Sequence, residues 1–185
     1  ATGGARLELL GFDLAAAFYE SPLGIVILDH EDRWQEANPA WCEILGRERD
    51  DLLGRHFNEL THPDDLSAGV DMLATLQGGA RSVQAEKRYL GADGTAIHVA
   101  ESLTARRDED GRIVRYVAHI RDTTARVRAE EELAESARLF RDVLENVDLA
   151  ALNMDANGTI TYCNPELCRL VGWSAEELLG RDWFE

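Results

Sequence analysis

Few side chains in this sequence are typed and spaced for chemistry. Cys163 and Cys168 lie five residues apart, but a zinc site needs about four ligands at characteristic spacing, and neither a third cysteine nor a histidine stands near them. With Cys42 they form an odd set of three behind no signal peptide. The sequence therefore predicts no metal site, no disulfide framework and a reducing, cytoplasmic compartment. His62, just ahead of Pro63-Asp64-Asp65, reads as a helix cap. His98 and His119 fall on strand-like runs, where the alternation of Tyr116, Ala118 and Ile120 turns His119 to the opposite face, packed under a flanking helix. There is no glycine-rich phosphate loop, no nucleophile elbow and no kinase Asp-Phe-Gly triplet. The catalytic boxes of histidine kinases and the signature of diguanylate cyclases are missing too. No catalytic residue is predicted, so any catalysis would require a domain outside this chain.

The most informative polar residue is Glu101. A period of two places it with Ile97, Val99 and Leu103 on one apolar strand face. Buried without a partner, a carboxylate there costs several kcal/mol, so it requires a partner, a water or a ligand. The alternative is a bulge or rim position where it stays solvated.

The elements that would hold these residues follow from an internal repeat. An offset of 126 superposes Asn38-Pro39 on Asn164-Pro165, Cys42 on Cys168, Gly46 on Gly172 and Leu52-Leu53-Gly54-Arg55 on Leu178-Leu179-Gly180-Arg181. The chain thus reads as an N-terminal flank (1–12), a complete unit (13–122), a connector (123–147) and the first part of a second unit (148–185). Asp13 is a candidate N-cap for a helix reaching Tyr19. Residues 24–29 and 34–38 read as strands, and Asn38 caps a helix that opens on Pro39 and ends at Gly46. A short helix covers 50–53, and another opens at Pro63 and runs toward Gly78. Three longer strands follow at 83–90, 96–105 and 112–121, separated by the hairpin signals Asp93-Gly94 and 108–111. This is an α+β pattern with an antiparallel sheet.

Composition narrows the partners. Thirty-five acidic against 19 basic residues give a net charge of −16 and a pI near 4.6, a surface that repels nucleic-acid phosphates and anionic lipid. No apolar stretch approaches the roughly 20 residues of a membrane span. The ending at Trp183-Phe184-Glu185 reads as a cut within a longer protein.

Asn38 to Gly46 (Asn-Pro-Ala, then Leu-Gly), Leu-Leu-Gly-Arg at 52–55, Thr-His-Pro-Asp-Asp at 61–65, Glu-Lys-Arg-Tyr at 86–89, Asp-Gly at 93–94 and Arg-Asp-Thr-Thr at 121–124 occur in an order that resembles a PAS domain with its PAC motif. Residues 150–185 resemble the opening of a second one. The resemblance implies a five-stranded antiparallel sheet in order 2-1-5-4-3 with short helices over one face, and a sensory or dimerisation module of a bacterial sensor kinase or cyclic-di-GMP enzyme. A pocket beneath the helices would use Trp34, Trp41, Tyr89, Val99, Glu101 and Tyr116. Flavin-linking members carry a cysteine where this chain reads Gly54-Arg55-His56-Phe57. Haem-binding members carry an axial histidine on the long helix, here 65–77, which has none. Neither cofactor is expected, and a small-molecule ligand remains open beside two rivals, a ligand-free dimerisation scaffold and a cofactor-bearing redox or gas sensor.

The connector predicts a continuous helix over 124–146, rich in Ala, Arg, Glu and Leu and free of Gly and Pro. Leu133, Ala137, Phe140, Leu144 and Val147 are spaced 4, 3, 4 and 3, a coiled-coil seam suited to a homodimer linked covalently to an output domain, the alternative being an amphipathic helix lying on its own unit or on the second. Asp122, Thr123 and Thr124 form the junction between sheet and helix. The family often has isoleucine at the place of Thr123, and threonine there is expected to loosen that junction.

Overall fold

The computed structural model describes residues 14–146 and 149–184. Asp13, the expected first cap, and Val147, the last seam residue, lie outside them. The chain divides into two compact units, Ala1–Val127 and Arg128–Glu185.

In the first unit a short helix over 14–19 (α1) precedes β1 (Gly24–Leu28), β2 (Trp34–Ala37), α2 (Pro39–Leu45), α3 (Arg49–Leu52), two 3-10 turns (Phe57–Glu59 and Pro63–Asp65), α4 (Leu66–Gln77), β3 (Ser82–Leu90), β4 (Ala96–Arg107) and β5 (Ile113–Asp122). The sheet order is β2-β1-β5-β4-β3, every pair antiparallel. The helix expected to open at Pro63 divides in two. His62 Nδ1 accepts from the Asp64 amide, which sets a 3-10 turn before the α-helix begins at Leu66. β4 extends two residues past Ala105, where the Arg107 guanidinium donates to the carbonyls of Leu76 and Gly111.

Strand alternation puts Ile97, Val99, Glu101 and Leu103 on the inner face, opposite Tyr116, Ala118 and Ile120. Val26, Leu28, Trp34, Trp41, Leu45, Phe57, Met72 and Leu76 complete one core between sheet and helices. Gly69 is required on α4, because a Cβ there would lie 2.5 Å from the Phe57 ring. His119 faces out of the core, as expected, but it is exposed and among the described residues is not packed under a helix. At the end of β5, α5 (Thr124–Asn146) continues the chain.

The second unit holds the later part of α5, then β6 (Leu152–Met154), β7 (Ile160–Cys163), α6 (Pro165–Val171) and α7 (Ala175–Leu178). Its core is Ile160, Cys163, Leu167 and Leu178, with Leu152 and Cys168 packed against it.

Candidate functional site

Two features stand out, an ion pair inside the core and the anchorage of helices at strand ends. The register β3 to β4 pairs Ala85 with Glu101, Lys87 with Val99 and Tyr89 with Ile97, so Lys87, Tyr89 and Glu101 share the inner face. Lys87 Nζ lies 2.8 Å from Glu101 Oε2, and the two side chains are 2% and 3% exposed. The Tyr89 hydroxyl donates to the same oxygen at 3.0 Å. The ammonium also sits 4.8 Å from the Tyr89 ring centroid and 5.2 Å from that of Phe57, where the ring faces offer it partial compensation for lost water. Burial, reinforced by the Glu101 charge, pushes the Tyr89 phenol well above its usual range, so it remains a donor.

The solvated-rim alternative for Glu101 is therefore excluded. A strand position inside the core takes it out of bulk solvent, and Lys87 supplies the partner that such a position requires. Sequence reasoning missed Lys87. Its signal was present, since the period of two that places Tyr89 inward also places Lys87 inward, and it is the single lysine of the chain.

Of the six expected pocket residues, Trp34, Tyr89 and Glu101 line a cavity with Phe57, Met72 and Lys87. That cavity measures about 10 Å³, space for roughly one water molecule. Trp41, Val99 and Tyr116 are buried in the surrounding core. Trp34, Trp41 and Tyr89 form a ring cluster with centroids 5.0 to 6.3 Å apart, and the indole nitrogens of Trp34 and Trp41 are buried without a hydrogen-bond partner. Between Lys87 and Tyr89 in sequence, Arg88 donates to both carboxylate oxygens of Asp65 at 2.8 and 2.9 Å. This fork, with the Arg88 backbone amide, holds Asp65 below its usual value, at about 2.

The first anchorage is the junction between β5 and α5. The Thr123 amide donates to the His98 carbonyl at 2.8 Å, the Thr124 hydroxyl accepts from the His98 amide at 3.0 Å, and Asp122 Oδ1 accepts from the Thr124 amide at 2.8 Å. Thr123 is buried. The bonds that pin the junction run through backbone groups and the side chains of Asp122 and Thr124.

A second anchorage was legible only as a helix cap. Asn38 Oδ1 accepts from the Ile25 and Trp41 amides, and its Nδ2 donates to the carbonyls of Phe18 and Leu23. Asn164 does the same with Ala151, Leu167, Leu144 and Leu149. All five residues correspond at the offset of 126. Each asparagine ties a preceding helix, α1 or the end of α5, to the corner between a strand and the next helix. The offset places α1 where the end of α5 stands.

Along α5, Leu133, Ala137 and Phe140 are exposed and Leu144 is half-buried. Among the described residues no group of three His, Cys, Asp or Glu side chains is placed to hold a metal, and no helix is long and apolar enough to cross a membrane.

A five-stranded antiparallel sheet in this order, helices over its inner face and a helix leaving its last strand define the class of α+β module. A family profile described as PAS fold matches residues 13–123 and again 138–185, and the chain belongs to that family. It is 27% identical over 131 residues to the probable diguanylate cyclase DgcE of Escherichia coli, across 70% of this chain and 11% of that protein. It is 31% identical over 121 residues to the sensor histidine kinase TmoS of Ectopseudomonas mendocina, across 64% of this chain and 12% of that protein. The crystal structure of a PAS domain from Colwellia psychrerythraea superimposes with a TM-score of 0.59 at 20% identity, covering 63% of this chain and 98% of the other, a likeness of fold.

Proposed function

We propose that residues 13–122 form a cytoplasmic PAS sensory and dimerisation module of a multidomain bacterial signalling protein, and that α5 carries its state to an output domain beyond this chain. Residues 148–185 are read as the beginning of a second PAS domain. The observation that carries the proposal is the junction, where the central strand β5 passes into α5 through residues bonded to β4, so that a shift of β5 against β4 displaces the start of the helix. A diguanylate cyclase and a histidine kinase among the relatives support the signalling context.

The interior favours a module whose core needs no cofactor. Ligand pockets of drug size occupy about 300 to 1,000 Å³, whereas the space beside Lys87 is about 10 Å³, and Glu101 already has its counter-ion. This supports the ligand-free scaffold over a haem or flavin sensor. A small polar ligand would have to open the Lys87–Glu101 pair to enter.

Dimerisation uses the exposed apolar side chains of α5, with Leu133 and Phe140 on the seam. Sedimentation equilibrium on Leu133→Asp and Phe140→Asp variants tests this reading. Both are expected to shift a dimer toward monomer, since each places a charge on the seam. Dimers of unchanged affinity would place the interface elsewhere. Native mass spectrometry separates a ligand-free core from one that retains a small molecule.

A further inference from the structure

The two cysteines of the second unit face one another. Cys163 ends β7 and Cys168 lies in α6, and their sulfurs are 3.9 Å apart in mutual contact. Between them in sequence stands Asn164, fully buried, whose side chain holds the Leu144 carbonyl at the end of α5 together with the backbone of Leu149, Ala151 and Leu167. The repeat supplies an internal control. At the offset of 126 Cys168 corresponds to Cys42, but Cys163 corresponds to Ala37, so the first unit has the same asparagine corner without the second thiol.

We infer that Cys163 and Cys168 are a peroxide-responsive dithiol whose oxidation to a disulfide clamps the Asn164 corner and stiffens its hold on the end of α5. The sulfurs need to close by about 1.9 Å to reach disulfide length. In a reducing compartment the dithiol is the resting form, and disulfides formed there are transient and redox-sensing. Cys168 is the more accessible sulfur, whereas Cys163 is buried and its thiol is pushed up by that burial and by its neighbour. Cys168 as thiolate therefore attacks one oxygen of hydrogen peroxide. The O–O bond breaks, and the departing hydroxide takes up a proton and leaves as water, giving a sulfenic acid on Cys168. The Cys163 sulfur then attacks the Cys168 sulfur. The S–S bond forms, the S–O bond breaks, and the hydroxyl leaves with the Cys163 proton as a second water. Two thiols and one peroxide give one disulfide and two waters, and a dithiol reductant reverses the step.

The experiment uses the full chain, reduced and then treated with an equivalent of hydrogen peroxide, alkylated under denaturing conditions and mapped by peptide mass spectrometry. The expected product links Cys163 to Cys168 within one chain and leaves Cys42 free to alkylate. In the oxidised chain the amides of Ala151 and Leu167, both bonded to Asn164 Oδ1, are expected to exchange hydrogen about tenfold more slowly. Cys163→Ala, which restores the residue of the first unit, is expected to leave Cys168 without a bridge and to abolish the slowing. Loss of Cys42 at the same rate as Cys168, a bridge between chains, a sulfinic acid on Cys168 without a bridge, or a bridge that leaves both amides exchanging unchanged would each overturn the inference.

Discussion

A lysine in the core of a small domain is tolerated only with its counter-charge in place, so the Lys87–Glu101 pair is expected to behave asymmetrically under mutation. Glu101→Leu leaves a buried ammonium unpaired and is expected to cost roughly 3–5 kcal/mol in urea denaturation. Lys87→Met combined with Glu101→Leu removes both charges and should cost only about 1–3 kcal/mol, set by the Tyr89 hydroxyl left without an acceptor. A double variant as unstable as the single one would show that the pair does not act as a unit. Asp65 gives the pH dependence. Its pKa is depressed to about 2 by Arg88, so its contribution to stability is present above the ordinary value of 3.8 and is lost as pH falls through about 2. The urea midpoint of the first unit should fall between pH 4 and pH 2, and Asp65→Asn should flatten that fall. That Glu101 needed a partner was legible from one strand's alternation. Its partner was legible only in part: the alternation that turns Tyr89 inward turns Lys87 inward too, but setting Lys87 beside Glu101 requires the register between β3 and β4, which no single strand encodes.

At the scale of elements, the asparagine corners decide whether helices stay attached to the units they enter. Asn38→Ala removes a helix cap and leaves the Phe18 and Leu23 carbonyls and the Ile25 amide without their partner, a loss of roughly 2–4 kcal/mol from the first unit by chemical denaturation. Asn164→Ala is expected to raise amide exchange through the last turn of α5 and at Ala151 while leaving the first unit's midpoint unchanged. Identical exchange in wild type and variant would remove the corner from any role in holding α5. Most element boundaries were readable because caps announce them. Asn38 and Asn164 each precede a proline at the first helical position, and Gly46 and Gly172 take the left-handed conformation that ends those helices. The linker's extent was readable from composition, since no Gly or Pro breaks it. The side-chain bonds reaching back across 13 to 20 residues from each asparagine were not, because a cap residue and a hub residue are spelled alike.

The whole molecule joins a unit with a complete sheet to one with a two-stranded sheet. A hairpin with a four-residue core is marginal by itself, and Leu149, Leu170, Trp173, Leu179, Trp183 and Phe184 of the second unit are exposed. Amide exchange across residues 149–184 should accordingly be faster than across β4 and β5 in a dilute sample, and equal protection in both would contradict this. The internal repeat made the second unit's elements legible, but not the thiol pair, because only packing shows which faces of β7 and α6 meet. The charge pattern has a further use. Eighteen of the 19 basic residues are arginine and the nineteenth is Lys87, so the one side-chain amine of the chain is sealed at 2% exposure in the first unit. Reagents that acylate amines reach that ε-nitrogen only when the core opens. Its acylation rate therefore counts openings of the first unit alone, and a second unit that frays or unfolds should leave the count unchanged.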